Sequence, residues 1–225
     1  MPAMRTLYHQ PLSPRCRKIR IILKEKAQEF DLVVERDWER RPEFLAMNPG
    51  GSLPVLVEPD GAVFAEQCAI TEYLDEAYPD RPLIGFSPRE RAEARRLAAW
   101  FDTHFEAEVS RYLLGEKVEK RQARRGQTDA AAIRAGAHNI HYHLDYIGYL
   151  CERRRWLAGD DFSIADIAAA AHISAIDYLG DVPWDDHLEA REWYARVKSR
   201  PSMRPLLTDR IAEVKPPAWY DDLDF

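Results

Sequence analysis

The chain has 225 residues, 46% hydrophobic and 31% charged, a globular composition long enough to bury a substantial core in one or two domains. Its formal charge of −6 is evenly spread, with 11 Lys+Arg against 14 Asp+Glu in residues 1–85 and 21 against 24 in the remainder. Each part is therefore −3, which excludes the basic footprint of a nucleic-acid-binding domain.

No apolar run reaches the roughly 18 to 20 residues of a membrane span, so no membrane insertion is expected. Cys16, Cys68 and Cys151 are too few and too far apart for a disulfide scaffold. Met1 to Tyr8 lacks the apolar stretch of a secretory leader, and the expectation is a cytoplasmic protein.

The first part of the chain alternates periods. Arg5 to His9 predicts a strand, Pro11 to Pro14 a turn, and Arg15 to Lys26 a helix with Ile19, Ile22 and Leu23 on one face. Phe30 to Glu35 predicts a second strand and Pro42 to Met47 a short helix. Pro54–Glu58 and Ala62–Ala65 predict a hairpin around Pro59-Asp60-Gly61, and Glu66 to Tyr78 a helix, giving the order βαβαββα.

Prolines 79, 82 and 88 with Gly85 punctuate the chain as a linker does. Beyond them helix formers dominate, with long helices predicted from Pro88 to about Gly115 and from Asp129 to Arg155, and shorter ones from Ile164, His187 and Ser202. The domain reading is 1–82 α/β, 88–210 all-helical, and 216–225 an acidic, aromatic tail.

Three local patterns bear on chemistry. Pro54 at the first position of a strand suits a cis Leu53–Pro54 bond, which leaves the Leu53 backbone available to a peptide-like ligand. Ser163-Ile-Ala-Asp166 is a capping box, with Phe162 and Ile167 placed to close a hydrophobic staple across it. Ser13-Pro-Arg-Cys16 opens a helix, whose unpaired N–H groups favour an anion. The histidines of His138-Asn-Ile-His141-Tyr-His143 lack a matching ligand cluster, so no metal site is expected.

Ser13-Pro-Arg-Cys16-Arg-Lys, Leu53-Pro54-Val-Leu, Glu66-Gln67-Cys-Ala-Ile-Thr-Glu-Tyr-Leu and Phe162-Ser-Ile-Ala-Asp166 together resemble the glutathione S-transferase (GST) superfamily over residues 4 to about 208. The resemblance implies a thioredoxin-like domain followed by an all-helical one. It also implies a glutathione-like groove of Ser13, Leu53, Pro54, Glu66 and Gln67.

In a transferase, Ser13 stabilises the glutathione thiolate and Glu66 holds the amino group. Gln67 departs from the pattern, because the superfamily usually places Ser after the acidic residue. Glutathione is the ligand only under this transferase alternative, and no other cofactor is implied. A thiol reductase using Cys16 is a third reading, weakened because position 13 is Ser where such enzymes carry Cys.

Trp38-Glu-Arg-Arg-Pro-Glu-Phe44, the Ser13 start and the Asp-Leu-Asp-Phe225 end resemble the GST-like division factors of alphaproteobacteria. That likeness implies a non-catalytic homodimer that binds filaments of FtsZ, the bacterial tubulin homologue, and couples the Z-ring to envelope constriction. The expected filament surface is Trp38 and Phe44 with Leu113, Glu119, Arg124 and Arg125. Trp38 is a large indole among charges, suited either to a partner interface or to a dimer seam.

Glu116 to Arg125 carries five basic residues against two acidic ones, a solvated run able to receive an acidic partner. Asp222, Leu223, Asp224 and Phe225 follow a double-proline stop at Pro216-Pro217. They read as a docking element for a second division protein or as a strap folded back on the helical domain.

Overall fold

The computed structural model describes residues 4–223, in two compact units, Met1–Pro82 and Leu83–Phe225. In the first unit β1 (Thr6–His9), α1 (Pro14–Glu25), β2 (Asp31–Val34), α2 (Pro42–Met47), β3 (Val55–Val57), β4 (Val63–Ala65) and α3 (Gln67–Ala77) follow the predicted order. The sheet order is β2-β1-β3-β4, with β2 parallel to β1 and the other neighbours antiparallel. This is the thioredoxin-like sheet with its helices that the resemblance implies.

Position in the sheet explains burial. Central β1 buries Leu7 and His9, and β3 buries Val55 and Leu56, whereas all four residues of the edge strand β2 are exposed. Helix α1 buries Ile19, Ile22 and Leu23, the predicted face, together with Arg17, Lys18 and Arg20. Two buried cations in this unit are paired with buried carboxylates. Arg5 meets Glu58 at 2.7 Å, and Lys26 meets Asp75 at 2.6 Å while also donating to the carbonyls of Tyr78 and Arg81.

The second unit contains only helices and their connections among the described residues. Helix α4 (Pro88–Trp100) starts at a capping box of Ser87 and Glu90, as Pro at the first position and Glu at the third would direct. It runs on through a wide π-helical stretch (Phe101–Ser110), α5 (Arg111–Leu114), a second π-helical stretch (Gly115–Glu119) and α6 (Lys120–Gln122).

Helicity therefore extends past the predicted end near Gly115. Glu116, read in the sequence as part of a solvated run, is instead buried. Its carboxylate accepts from Lys120 Nζ and from the Asp129 backbone N–H, both at 2.7 Å, tying this helix end to the start of α7 (Ala130–Cys151). Asp129 caps α7 by accepting from Ala131 N–H at 2.8 Å.

Helix α8 (Ile164–Tyr178) is buried along its whole length, so each polar side chain on it requires a partner. Asp166 closes the predicted capping box and accepts from Leu157 N–H at 3.0 Å and from the Trp193 indole at 2.9 Å. His172 meets Ser110 Oγ at 2.8 Å, Ser174 donates to the Ala171 carbonyl, and Asp177 accepts from the Trp184 indole at 3.0 Å. Phe162 packs edge-on against Trp156 with centroids 5.0 Å apart.

Helices α9 (Leu188–Lys198) and α10 (Arg204–Leu207) lead to the C-terminal segment. Tyr220 is fully buried, donates its hydroxyl to the Leu206 carbonyl at 3.2 Å and stands edge-on to Tyr178, so the segment folds back as a strap. Asp222 is exposed and Leu223 half-buried, while Asp224 and Phe225 lie outside the described residues.

Candidate functional site

The first unit gathers the predicted groove residues near the starts of α1, β3 and α3. Ser13 precedes Pro14, the first residue of α1, and caps none of the helix N–H groups with its hydroxyl. That hydroxyl instead engages the Cys16 thiol, which also accepts from the Gln10 N–H at 3.5 Å. Cys16 is fully buried, and burial pushes its thiol up to about 11. It is a protonated core group at neutral pH, which removes the physical basis for a Cys16 redox nucleophile.

The Leu53–Pro54 bond is cis, as the sequence predicts, and Leu53 lies outside the strand ladder. The loop before it is held by Asn48, whose amide donates to the Ser52 carbonyl at 2.9 Å and accepts from Gly50 N–H at 3.1 Å. Gly51 sits there at φ +69, a conformation that favours glycine.

Ser52 then donates to Glu66 Oε1 at 2.8 Å, so the carboxylate expected to meet a ligand amine already has a partner. Glu66 has φ 68 and ψ 124, a sparsely populated conformation for a non-glycine residue. Gln67 begins α3 with its side-chain oxygen buried and without a hydrogen-bond partner among the described residues. Sequence reading missed Asn48 and Ser52 as positioning residues. Asn-Pro-Gly-Gly-Ser is the turn signal that could have found them.

The predicted filament surface needs two corrections. Phe44 is fully buried in a cluster with Cys16, Leu53 and Val55, because α2 turns this residue inward beneath the groove. Leu113 is also fully buried. It packs where α7 presents Gly136, and a Cβ at that glycine would come within 3.0 Å of the Leu113 side chain. Neither side chain can touch a partner directly.

Trp38 lies in a 3-10 turn (Asp37–Glu39) and is half-buried, less open than its charged context suggests, with the exposed Arg36–Glu39 pair beside it in sequence. Glu119, Arg124 and Arg125 are exposed in the second unit. Among the described residues no group of three or more His, Cys, Asp or Glu side chains could hold a metal ion. His143 is buried against Glu108 at 3.0 Å and His141 meets His187 at 2.8 Å, while His138 is exposed.

Comparison with known proteins bears on this groove and on the fold around it. The family model described as glutathione S-transferase, N-terminal domain, matches residues 7–82. Glutathione S-transferase 2 of Saccharomyces cerevisiae is 34% identical, covering 91% of this chain and 90% of its own length. The chain belongs to the glutathione S-transferase superfamily. Within that superfamily it is 50% identical to FtsZ-localized protein A of Caulobacter vibrioides, with all of both chains covered.

The FzlA structure from C. crescentus superposes with a TM-score of 0.95 over 99% of this chain and all of its own. A crystal structure described as a glutathione S-transferase from Rhodospirillum rubrum F11 is 55% identical with a TM-score of 0.96, again over 99% of this chain and all of its own. Superfamily membership accounts for the cis-proline loop and the buried, capped α8.

Proposed function

We propose that this chain is a non-catalytic, GST-fold division factor that binds FtsZ filaments as a cytoplasmic homodimer at the division site and couples the Z-ring to envelope constriction. The observation that carries the reading is the 50% identity to FtsZ-localized protein A with both chains covered in full. The groove supports it. Glu66 is engaged by Ser52, and Gln67 offers a bulkier amide where the superfamily usually presents a hydroxyl.

The filament surface in this reading is Trp38 with Glu119, Arg124 and Arg125, an aromatic anchor and exposed charges able to orient a partner. The homodimer would use an isologous seam, so that each interaction patch is presented twice. Asp222 and Leu223, with Asp224 and Phe225 beyond the described residues, form the docking element for a second division protein. Neither nucleic acid nor membrane insertion has a role in this proposal.

One observation favours a second reading, a glutathione transferase acting on a small electrophile. The Rhodospirillum and yeast relatives both carry that description, and Ser13 occupies the position that would stabilise a thiolate.

Imaging separates the two. A fluorescent fusion expressed at native level should form a band at the division plane and disperse when FtsZ is depleted. Diffuse fluorescence in dividing cells that retain a normal Z-ring would contradict the proposal.

A further inference from the structure

The outer edge of β2 carries backbone groups that the sheet does not use. Asp31 N–H donates to the Arg5 carbonyl at 2.8 Å and Glu35 N–H to the His9 carbonyl at 3.0 Å, so residues 31, 33 and 35 turn their in-plane groups towards β1. Leu32 and Val34, at the alternate positions, aim their N–H and C=O groups away from it. None of these outward groups has a hydrogen-bond partner among the described residues.

The edge is also apolar on both faces. Leu32 and Val34 project from one face and Val33 from the other, and all three are exposed. Lysine, proline and bulges are the usual means of blunting such an edge, and β2 contains none of them in its regular ladder from Asp31 to Val34.

Unpaired donors and acceptors at strand spacing are matched by an extended polypeptide, whose backbone carries the same groups at the same spacing. Charge decides which polypeptide. A second copy of this chain would pair antiparallel about a two-fold axis. Centring that pair on Val33 sets Asp31 opposite Glu35 of the other copy, and centring it on Leu32 sets Glu29 opposite the same Glu35, like charges in directly opposed positions. Centring it on Val34 runs each strand into the 3-10 turn that starts at Asp37.

A segment of a different protein escapes this conflict. Asp31 is exposed and has no ion-pair partner among the described residues. Arg36, past the other end of the strand, is exposed in a surface pair with Glu39. The complementary segment is basic opposite Asp31 and acidic beside Arg36.

We propose that the free edge of β2 takes up an extended segment of another protein as a fifth strand, aliphatic where it faces Leu32, Val33 and Val34. The added strand runs antiparallel, the more stable pairing per residue, and its sequence therefore begins with the acid and ends with the base. The site is independent of the filament reading, and its test contains no FtsZ.

The probe is the peptide acetyl-Glu-Thr-Val-Val-Val-Lys-amide, titrated into the full chain and followed by heteronuclear NMR. Saturable shifts of the Leu32 and Val34 amides are expected, with a Kd below about 1 mM. In the proposed register the first and third valines of the peptide direct their N–H groups at β2, and the second directs its own away. N-methylation of the first and third should weaken binding about tenfold or more through two lost hydrogen bonds, and N-methylation of the second should change it by less than about threefold. Exchanging the terminal Glu and Lys should weaken binding by about threefold. Leu32→Pro removes an outward donor and leaves the bonds to β1 in place, so it should weaken binding by about fivefold. A circular dichroism melt verifies that this variant folds, and the methylated peptides test the edge on the unaltered chain if it does not. No saturation below about 10 mM, shifts that spare Leu32 and Val34, or equal affinity of the two methylated forms would overturn the proposal. So would tighter binding of the exchanged peptide, or self-association of the chain that Leu32→Pro abolishes.

Discussion

Gln67 concentrates the functional question in one side chain. Its side chain replaces the compact hydroxyl that the superfamily usually presents at this helix start with a longer amide, whose oxygen is buried without a hydrogen-bond partner among the described residues. Glu66 beside it is engaged by Ser52. Calorimetric titration with glutathione should therefore show no binding in the low-millimolar range, and Gln67→Ser should gain measurable heat. A clear micromolar isotherm from the unaltered chain would sink the non-catalytic groove.

The pattern departure at Gln67 was legible in the sequence because it depends only on residue identity at one motif position. The Ser52–Glu66 bond was not, since it joins residues 14 apart through a loop whose path only the fold determines.

At the scale of elements, the local signals carried furthest. Capping boxes, the Pro59-Asp60-Gly61 turn and the first-position prolines are nearest-neighbour chemistry, and the helices and strands they bound appear where expected. The π-helical stretches from Phe101 and Gly115 left no such mark. Inward-facing Phe44 was hidden because the six residues of α2 give too few turns for a periodic pattern. Leu113 was misplaced because the charge run after it looked like a solvated end. The run includes the tertiary anchor Glu116.

An acid-branch prediction belongs to α4. Glu93 accepts from Arg96 at 2.8 and 2.9 Å and from Arg154 at 2.7 Å, and these bonds, Arg96 first, hold its carboxyl at about 2 against an ordinary 4.5. A depressed folded-state value means that the stabilisation is present above pH 4.5 and lost as pH falls towards 2. Glu93→Gln should lower Tm at pH 7 by roughly 2–4 °C and flatten the decline in Tm between pH 5 and pH 3, read by calorimetry. An unchanged slope would show that the Arg96–Glu93–Arg154 cluster contributes nothing measurable.

For the whole molecule, sequence patterning separated the α/β unit from the helical one, since proline and glycine punctuation coincides with a change from mixed periods to nearly uninterrupted helix formers. Surface function was harder to read, because exposure depends on packing between distant segments. Trp38 is half-buried, Phe44 and Leu113 are core, and only Glu119, Arg124 and Arg125 of the expected surface are exposed. Truncating a partly buried aromatic anchor such as Trp38 should cost a filament contact about 2 kcal/mol or more, and removing a single exposed charge should cost less.

Co-sedimentation with assembled FtsZ tests that claim most directly, comparing the unaltered chain with Trp38→Ala and using light scattering to verify a dimer of twice the 26.1 kDa chain mass in both. The unaltered protein should pellet with filaments and Trp38→Ala should lose most of that binding while staying dimeric. Failure of the unaltered protein to pellet would contradict filament binding itself. Normal pelleting by Trp38→Ala, with or without dissociation of the dimer, would contradict the surface assigned to it.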